Sequence, residues 1–314
     1  MPTRAEWLQE RRNYIGASDI GKLLLDTNGH PIHPYGSPYT VWLDKMGLTQ
    51  NDENERSLMG QMLEPIVAKR FQLANVGVKL RATGTHTAKG GQPWHRCNPD
   101  RLIVGRVSQV HGTPLVKPDP KGLKAILQIK TAGFFTGQSF GIDGTDQVPD
   151  WYLAQVQYEL YCTGADLAVL ALIYDTHLYR QFLIYRDDAL IRHFVSVADE
   201  FWTRYVQTKE EPPATSHPKD TEWLNQAWTP KNDGVVIATP EIDAEVDALS
   251  RELPRFEKLE AIIAGRKNRI RQAIGENGRL LTSSGEIRWR ADKNGRRSLL
   301  LSGIKSAAPD QKAS

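Results

Sequence analysis

Two stretches of sequence decide the fold, Asn98-Pro99-Asp100 and Leu127-Gln128-Ile129-Lys130-Thr131. Asp100 stands between an aromatic-containing run at 94–97 and a second β-like run at 101–107, so its carboxylate is predicted to lie at a strand-turn-strand junction. Because side chains alternate faces along a strand, Gln128 and Lys130 share one side of the second stretch. An acid at a turn beside a polar-X-Lys pair can hold a divalent cation and a positive charge next to one phosphate.

Helical and β patterns alternate around these two stretches. Helices are predicted over residues 3–12, from Ser18, over 39–47, from about 54 to 74, from Pro149 and over 187–208. Strands are predicted over 77–88, 94–98, 101–107, 124–131, 167–174 and 179–185, with a loop over 112–122. This order predicts an α/β fold with a central mixed β-sheet flanked by helices.

The chain changes character beyond Pro213. Residues 214–238 are mostly polar and are predicted to form an irregular linker, after which Thr239 caps a long helix and a small basic β-hairpin carries Trp289. The apolar stripe of that helix suits packing on the main domain or pairing with a second copy: Ile242, Val246, Leu249, Leu253, Phe256 and Ile263. The predicted organisation is a domain at 1–213, a linker at 214–238 and an extension at 239–314.

Composition narrows the class of protein. The 314 residues are 40% hydrophobic and 25% charged, with no signal-peptide core or membrane-spanning run, so we expect a cytoplasmic protein. Cys97 and Cys162 form neither a CxxC pair nor a zinc set, which argues against disulfides and iron–sulphur clusters. Residues 266–297 contain ten Lys/Arg and three Asp/Glu, a pattern typical of a polyanion-binding tail or of a solvated basic surface.

Three further side chains are candidates for the same site. Glu64 lies beside a core-facing helical stripe and before Pro65, which fixes the chain locally and can aim this carboxylate inward. Gln155 shares a helix face with Tyr152 and Glu159. Ser18 is predicted to cap a helix whose first N–H groups can attract a phosphate, with a nearby arginine strengthening the site. Taken alone, a glutamate beside a kink is more commonly a surface residue, and most Ser-capped helices bind no phosphate.

The order of these residues resembles that of the PD-(D/E)XK nuclease superfamily, which has a restriction-endonuclease-like core. Within it, the chain resembles the phage-type recombination exonucleases of the lambda-exonuclease and YqaJ-like kind. The segments that carry the resemblance are Trp7-X-X-X-Arg11, Ile15-Gly-Ala-Ser18-Asp19, Gly60-Gln-Met-Leu-Glu64-Pro, Asn98-Pro-Asp100, Leu127-Gln-Ile-Lys130-Thr and Ala154-Gln155-Val-Gln157-Tyr.

The resemblance implies metal-dependent phosphodiester hydrolysis and a role for each residue. The implied metal ligands are Asp100, Gln128, Ile129 and Glu64, with Mg²⁺ as the cofactor and Mn²⁺ as a substitute. Lys130 would orient the attacking water and offset charge on the phosphate, and Gln155 would hold Lys130 or a metal-bound water. Arg11 and Ser18 would receive the 5′-terminal phosphate.

The activity that the resemblance implies is a DNA exonuclease. It would digest linear duplex DNA from 5′ to 3′ and leave 3′ single strands for phage-type homologous recombination. The implied partners are double-stranded DNA ends, a single-strand annealing protein and further copies of the chain in a ring. If a phage encodes the protein, its location would be the cytoplasm of the bacterial host.

One position departs from the family pattern, because Gln128 stands where a Glu or Asp is usual. An amide oxygen can bind Mg²⁺ but brings no charge, so we expect weaker metal binding. Three outcomes stay open. Gln128 acts as a neutral ligand in an active enzyme, or the enzyme uses Glu64 or Glu159 instead, or the protein is a non-catalytic DNA-end-binding or scaffold protein.

Overall fold

The computed structural model describes residues 4–49, 55–104, 109–110, 113–114, 123–175, 177–227, 234–291, 295 and 297–301. The chain divides into two compact units, Met1–Thr229 and Pro230–Ser314. No helix in the described ranges combines the length and the apolar character that crossing a bilayer requires.

The first unit contains eight described α-helices. They are α1 (Arg4–Arg11), α2 (Ala17–Leu23), α3 (Pro38–Met46), α4 (Glu55–Ala74), α5 (Phe134–Gly137), α6 (Asp150–Thr163), α7 (Asp188–Phe201) and α8 (Pro218–Ala227). A π-helical turn, Trp202–Val206, continues α7. The described strands are β1 (Lys79–Arg81), β2 (His86–Thr87), β3 (Arg96–Cys97), β4 (Arg101–Val104), β5 (Gln109–Val110), β6 (Thr113–Pro114), β7 (Ala125–Ala132), β8 (Leu167–Tyr174) and β9 (Leu178–Tyr185).

A five-stranded mixed sheet forms the centre of this unit, in the order β1-β4-β7-β8-β9. The β7–β8 pair is parallel, whereas the β1–β4, β4–β7 and β8–β9 pairs are antiparallel. A parallel pair needs a crossover connection, and α6 lies in the segment that connects β7 to β8. The predicted α/β fold with a mixed central sheet flanked by helices is therefore confirmed.

Apolar side chains cover both faces of β7. Leu127 and Ile129 pack in one cluster with Val67 and Phe71 of α4, and Ile126 packs on the other face in a cluster with α6. Burying a side chain of this kind contributes about 1.5–3 kcal/mol. Gln128 and Lys130 alternate with Leu127 and Ile129, so their side chains are on the α6 side of the sheet.

The structure corrects the sequence prediction in the segment after residue 213. The sequence predicts an irregular linker over residues 214–238, but Pro218–Ala227 form α8. Asp220 is fully buried and accepts hydrogen bonds from Ser37 Oγ at 2.5 Å and from the Thr215 backbone N–H at 2.8 Å. The residues that donate these bonds lie outside α8, and Ser37 is distant in the sequence. The pattern of polar residues in α8 therefore does not reveal that Asp220 is buried.

Two other predicted boundaries differ in detail. The helix expected from about 54 to 74 is α4, which passes through Pro65 without interruption, so no new helix begins there. The predicted 112–122 loop lies largely outside the described residues, although Thr113–Pro114 pairs with Gln109–Val110.

The second unit consists of a long helix and a small sheet. Helix α9 (Pro240–Ile274) has Thr239 as its N-cap and runs for 35 residues. Strands β10 (Arg279–Thr282), β11 (Gly285–Ala291) and β12 (Arg297–Leu300) form an antiparallel sheet, which confirms the predicted basic hairpin and the three short strands expected at 279–281, 286–290 and 298–301. The Arg297 guanidinium lies 4.1 Å from the centre of the Trp289 ring.

Candidate active site

The β-sheet register places Asp100 beside the second key stretch. In the β4–β7 ladder Arg101 is paired with Leu127, so the residue before Arg101 falls next to the residues after Leu127. Asp100 Oδ2 accepts a hydrogen bond of 2.6 Å from the Ile129 backbone N–H. The acidic turn and the polar-X-Lys strand therefore meet at one end of β7, as predicted.

The pKa of Asp100 is raised to about 6, mainly because the carboxyl group is buried. Lys130 and the Ile129 N–H oppose this rise, and the negative charge of Glu64 adds to it. A nearby charge or a hydrogen-bond donor shifts the pKa of a carboxyl group by favouring or disfavouring its ionised form. The site thus contains a carboxylate that a nearby cation would stabilise in its ionised form.

Glu64 reaches the same region from α4. Its carboxylate forms an ion pair with Arg101, and the Arg101 guanidinium also donates a hydrogen bond to the Asp100 backbone carbonyl. Arg101 therefore links the helix acid to the turn acid. The sequence placed Glu64 in the site but gave no sign that Arg101 would neutralise it.

Lys130 belongs to a hydrogen-bonded chain that ends in the buried acid Glu159. Lys130 Nζ donates to Gln155 Oε1 at 3.0 Å, and Gln155 Nε2 donates to Glu159 Oε1 at 2.8 Å. Lys130 Nζ also lies 4.9 Å from the centre of the Tyr152 ring. The predicted α6 face of Tyr152, Gln155 and Glu159 is confirmed, and it points at the predicted lysine.

Glu159 is only 1% exposed, and among the described residues no hydrogen-bond donor reaches its Oε2 atom. The pKa of Glu159 is raised to about 8, mainly by burial and also by the negative charge of Asp100. The sequence put this residue on the correct helix face but outside the main set of metal ligands. Its position four residues after Gln155 was the sequence feature that indicated contact between the two side chains.

Gln128 is buried and carries an amide oxygen with no hydrogen-bond partner among the described residues. A buried oxygen of this kind is costly unless a donor or a cation satisfies it. The ligands that the resemblance implies, Asp100, Glu64, Gln128 and the Ile129 backbone carbonyl, would supply only oxygen atoms, which are the donors that Mg²⁺ takes. The described residues contain no group of three or more His, Cys, Asp or Glu side chains able to hold a metal, so such a site would depend on the amide and carbonyl oxygens as well.

Arg11 and Ser18 also lie together. Arg11 Nη2 is 2.6 Å from Ser18 Oγ and 3.0 Å from Asp19 Oδ1. The prediction that Ser18 is the helix N-cap is wrong, because Gly16 occupies that position and Asp19 accepts the Gly16 N–H at 3.0 Å. Ser18 is instead inside the first turn of α2, with its hydroxyl directed at Arg11.

Asp19 holds this arginine in place and was not identified from the sequence. Although burial opposes its ionisation, Lys45 and Arg11 keep the pKa of Asp19 well below its usual range. Lys45 Nζ is 2.7 Å from Asp19 Oδ2, and the lysine side chain has no exposed surface. The pKa of Arg11 is raised by the same ion pair. No periodicity links Asp19 to Lys45, so only the fold brings them together.

A cavity of about 110 Å³ connects the two groups of residues. Its walls include Arg11 and Ser18 together with Gln155 and Glu159. The remaining lining residues are Tyr14, Gly16, Ala17, Cys97 and Asn98. The structure thus brings the predicted phosphate-binding pair within one cavity of the hydrogen-bonded chain that holds Lys130.

We expect Glu159→Gln to flatten the pH dependence of stability of the metal-free protein. The pKa of Glu159 is raised to about 8, whereas an unfolded Glu titrates near 4.3, so the folded protein binds more protons between these values. The free energy of unfolding should therefore fall as the pH rises through this window, by at most about 1.4 kcal/mol per pH unit from this group.

Urea unfolding in EDTA at several pH values between 5 and 9 measures this effect. The variant keeps an amide oxygen that can accept the Gln155 bond, so its packing should be preserved. At pH 9 it should be more stable than the wild type, and at pH 5 the two should converge. Parallel pH profiles for the two proteins would show that Glu159 is ionised at its ordinary pKa.

Comparison with known proteins places these residues within a sequence family. The model of the YqaJ-like viral recombinase domain matches residues 6–166. The uncharacterized protein YqaJ of Bacillus subtilis (strain 168) is 28% identical over 230 residues, which is 72% of this chain and 64% of that protein. The chain thus spans just under two thirds of the length of this relative.

Two solved structures of exonucleases are also similar. An alkaline exonuclease (LHK-Exo) from Laribacter hongkongensis is 17% identical with a TM-score of 0.48, covering 65% of this chain and 93% of that one. A phage related exonuclease from Haemophilus somnus is 14% identical with a TM-score of 0.43, covering 63% of this chain and 96% of that one.

The matched region, 6–166, is more than half of the chain and contains all eight predicted site residues. They are Arg11, Ser18, Glu64, Asp100, Gln128, Ile129, Lys130 and Gln155. This match confirms the resemblance to YqaJ-like proteins that the sequence motifs indicated. The chain belongs to the family of YqaJ-like viral recombinase domains.

Proposed function

We propose that this protein is a metal-dependent exonuclease that digests linear duplex DNA from 5′ to 3′ and leaves 3′ single strands for homologous recombination. Its membership of a viral recombinase family supports DNA as the substrate. The observation that carries the proposal is the cavity that joins Arg11 and Ser18 to Gln155, the partner of Lys130.

The residues that line this cavity suit the end of a DNA strand. An arginine guanidinium binds phosphate with parallel hydrogen bonds, and Asp19 fixes the orientation of the Arg11 group. Lys130 donates a hydrogen bond to Gln155 of the cavity lining and would provide a positive charge beside an anionic phosphate that reacts there. A 5′-terminal phosphate held by Arg11 would therefore place the chain end beside the cleavage residues.

The donor set around Asp100 would hold the metal. Asp100, Glu64, the Gln128 amide and the Ile129 carbonyl offer oxygen atoms for Mg²⁺, with Mn²⁺ as a substitute. When bound, the ion supplies stabilisation of charge on the phosphate and activation of water. Lys130 would orient that water and offset developing negative charge, while Gln155 keeps the ammonium group in position.

The test is digestion of linear duplex DNA that carries either a 5′ phosphate or a 5′ hydroxyl. With Mg²⁺ the wild type should degrade the phosphorylated ends faster and release mononucleotides from the 5′ side. Arg11→Ala should lose most of this preference, with a fall of about tenfold or more on phosphorylated ends, since a charged hydrogen bond contributes about 1.5–3 kcal/mol.

The matched control is Arg12→Ala, which removes the adjacent, exposed arginine outside the cavity lining. It should leave the preference for phosphorylated ends unchanged. Digestion from the 3′ side, or a wild type that is inert with both Mg²⁺ and Mn²⁺, would contradict the proposal.

A second candidate is a protein that binds DNA ends without cutting them, and the amide at position 128 favours it. This candidate requires salt-sensitive binding that EDTA does not weaken and an absence of turnover. Gln128→Glu separates the two cases because it restores one negative charge to the donor set. For an active enzyme we expect the Mg²⁺ concentration that gives half-maximal cleavage to fall about tenfold, which corresponds to about 1.4 kcal/mol.

Titration of cleavage against Mg²⁺ for both proteins measures this shift, with Gln157→Glu as the control on the neighbouring helix. Gln157 is buried and bonds to the Tyr185 carbonyl instead of facing Lys130. An inert wild type that becomes active only as Gln128→Glu would establish the second candidate.

The recombination role that we propose also implies where the product goes. Long 3′ single strands are the substrate of a single-strand annealing protein, which we expect to act with this enzyme in the cytoplasm. Co-purification of such a protein together with DNA resection activity would support this part of the proposal.

A further inference from the structure

Helix α9 carries an exposed apolar stripe with the spacing of a coiled coil. The stripe follows alternating steps of four and three residues and continues at two later positions of the same heptad: Ile242, Val246, Leu249, Leu253, Phe256, Ile263 and Ile270. The first six are exposed, from 40% at Ile263 to 57% at Val246 and Phe256. A soluble protein rarely leaves such a long apolar strip uncovered, and a period of 3.5 residues fits a second helix.

The charges on α9 identify the partner helix. Residues 240–257 contain six acidic and two basic side chains, whereas residues 258–274 contain five basic and one acidic side chain. A helix with one negative half and one positive half is complementary to a second copy of itself that runs in the opposite direction. In a parallel pair, the like-charged halves would lie side by side.

We infer that α9 pairs in an antiparallel coiled coil with α9 of a second copy of this chain, centred near residue 258. In this register Leu253 faces the partner's Ile263, and Val246 faces the partner's Ile270. Lys267 and Glu260 each face a large apolar side chain across the seam, so their methylene groups can pack while their charges reach water. The pairing uses the second unit and is separate from the ring that the family resemblance implies.

Two charged pairs that flank the seam support this register, whereas Glu257 lies opposite the partner's Glu257. Asp243 lies opposite the partner's Arg271, and Glu252 lies opposite the partner's Arg266, so both pairs have opposite charge. Leu259 meets the partner's Leu259 near the two-fold axis, and it is 53% exposed in the single chain. A parallel pair would instead place Glu260 against the partner's Glu260 and Lys267 against the partner's Lys267, which opposes association.

The first test is the oligomeric state of the full chain, measured by sedimentation over a range of concentrations. Leu253→Glu should shift the protein to smaller species, because it places a carboxylate in the apolar seam. Ala261→Glu, on the opposite side of the helix, should leave the distribution unchanged. Equal distributions for the wild type and Leu253→Glu would overturn the proposal.

Disulfide trapping tests the direction of the pair. Oxidised Leu259→Cys should form a covalent dimer, because residue 259 meets its own copy only when the helices are antiparallel. Oxidised Ile242→Cys should not, because its own copy then lies at the far end of the seam. Cys97 and Cys162 are buried, so the wild type is the background control. The reverse result, with only Ile242→Cys linked, would overturn the antiparallel arrangement.

Charge reversal tests the register without disturbing the apolar seam. Glu252→Arg should raise the dissociation constant several-fold, because two arginines then face each other on each side of the pair. Combining it with Arg266→Glu should restore association, since the charges are opposite again. A double variant that is weaker than either single variant would contradict the proposed register.

Discussion

Replacing Lys130 by methionine should lower the rate of DNA cleavage about a thousandfold, which is the typical effect of removing one charged or hydrogen-bonding group that stabilises a transition state. Methionine keeps an unbranched side chain beside the Tyr152 ring but removes the ammonium group. Quench-flow or gel assays with saturating DNA and Mg²⁺ measure the cleavage step. DNA binding in EDTA should change by less than tenfold, because Lys130 contributes only one of the positive charges that phosphates along the DNA would contact.

A second readout distinguishes a lost catalytic group from a disturbed fold. The positive charge of Lys130 lowers the pKa of Asp100, so its removal should raise that pKa above its present value of about 6. The residual activity of Lys130→Met should then have its acidic limb at higher pH than the wild type has.

Lys124→Met is the matched control for this variant. Lys124 lies just before the other end of β7, where its amine bonds to the Thr163 carbonyl. It should retain wild-type cleavage. A Lys130→Met protein that cleaves DNA within tenfold of the wild-type rate would remove Lys130 from the reaction.

The two central strands of the sheet could be predicted because β8 is a continuous apolar run and β7 alternates apolar and polar side chains from Leu127 to Lys130. Buried strands such as Leu167–Tyr174 must be apolar on both faces, and few other structures accept such a run at that length. The α6 face was also predictable, since Tyr152, Gln155 and Glu159 recur at helical spacing. In both cases the local period of the sequence and the tertiary structure give the same answer.

The parts that could not be predicted depend on contacts between distant residues. The ion pair between Asp19 and Lys45 joins two helices, and the link between Glu64 and Arg101 joins a helix to a strand. Neither pair has a spacing that a single sequence reveals. Helix α8 was missed for the same reason, because the bond from Ser37 to Asp220 spans most of the first unit.

The register between β4 and β7 brings the separate sequence motifs together in one site. The sequence predicted that Asp100 and Lys130 lie near one another, but not which backbone group would hold the carboxylate. The pairing of Arg101 with Leu127 decides this, because it delivers the Ile129 N–H to Asp100. A shift of one residue in that ladder would send Lys130 to the α4 side of the sheet.

Asp100→Asn should abolish detectable cleavage while leaving the metal-free protein at least as stable as the wild type. The amide oxygen of asparagine can still accept the Ile129 N–H, so the turn should keep its shape. The pKa of Asp100 is raised to about 6, so above that pH the folded protein carries an ionised carboxylate that is less stable there than in the unfolded chain. A neutral amide removes this unfavourable charge, and stability at pH 8 in EDTA should stay constant or rise.

The wild type and Asp100→Asn should differ in how much Mg²⁺ stabilises them. Mg²⁺ that binds only the folded wild type should raise its stability by about 2.7 kcal/mol at a hundred times the dissociation constant. Asp100→Asn should show little of this rise, because it removes a negatively charged ligand from a donor set that already has an amide at position 128. Thermal unfolding of both proteins across a Mg²⁺ titration measures the difference. If Mg²⁺ stabilises both proteins equally, the metal binds elsewhere and Asp100 is not its ligand. If the variant instead unfolds in EDTA, Asp100 has a structural role that its raised pKa does not indicate.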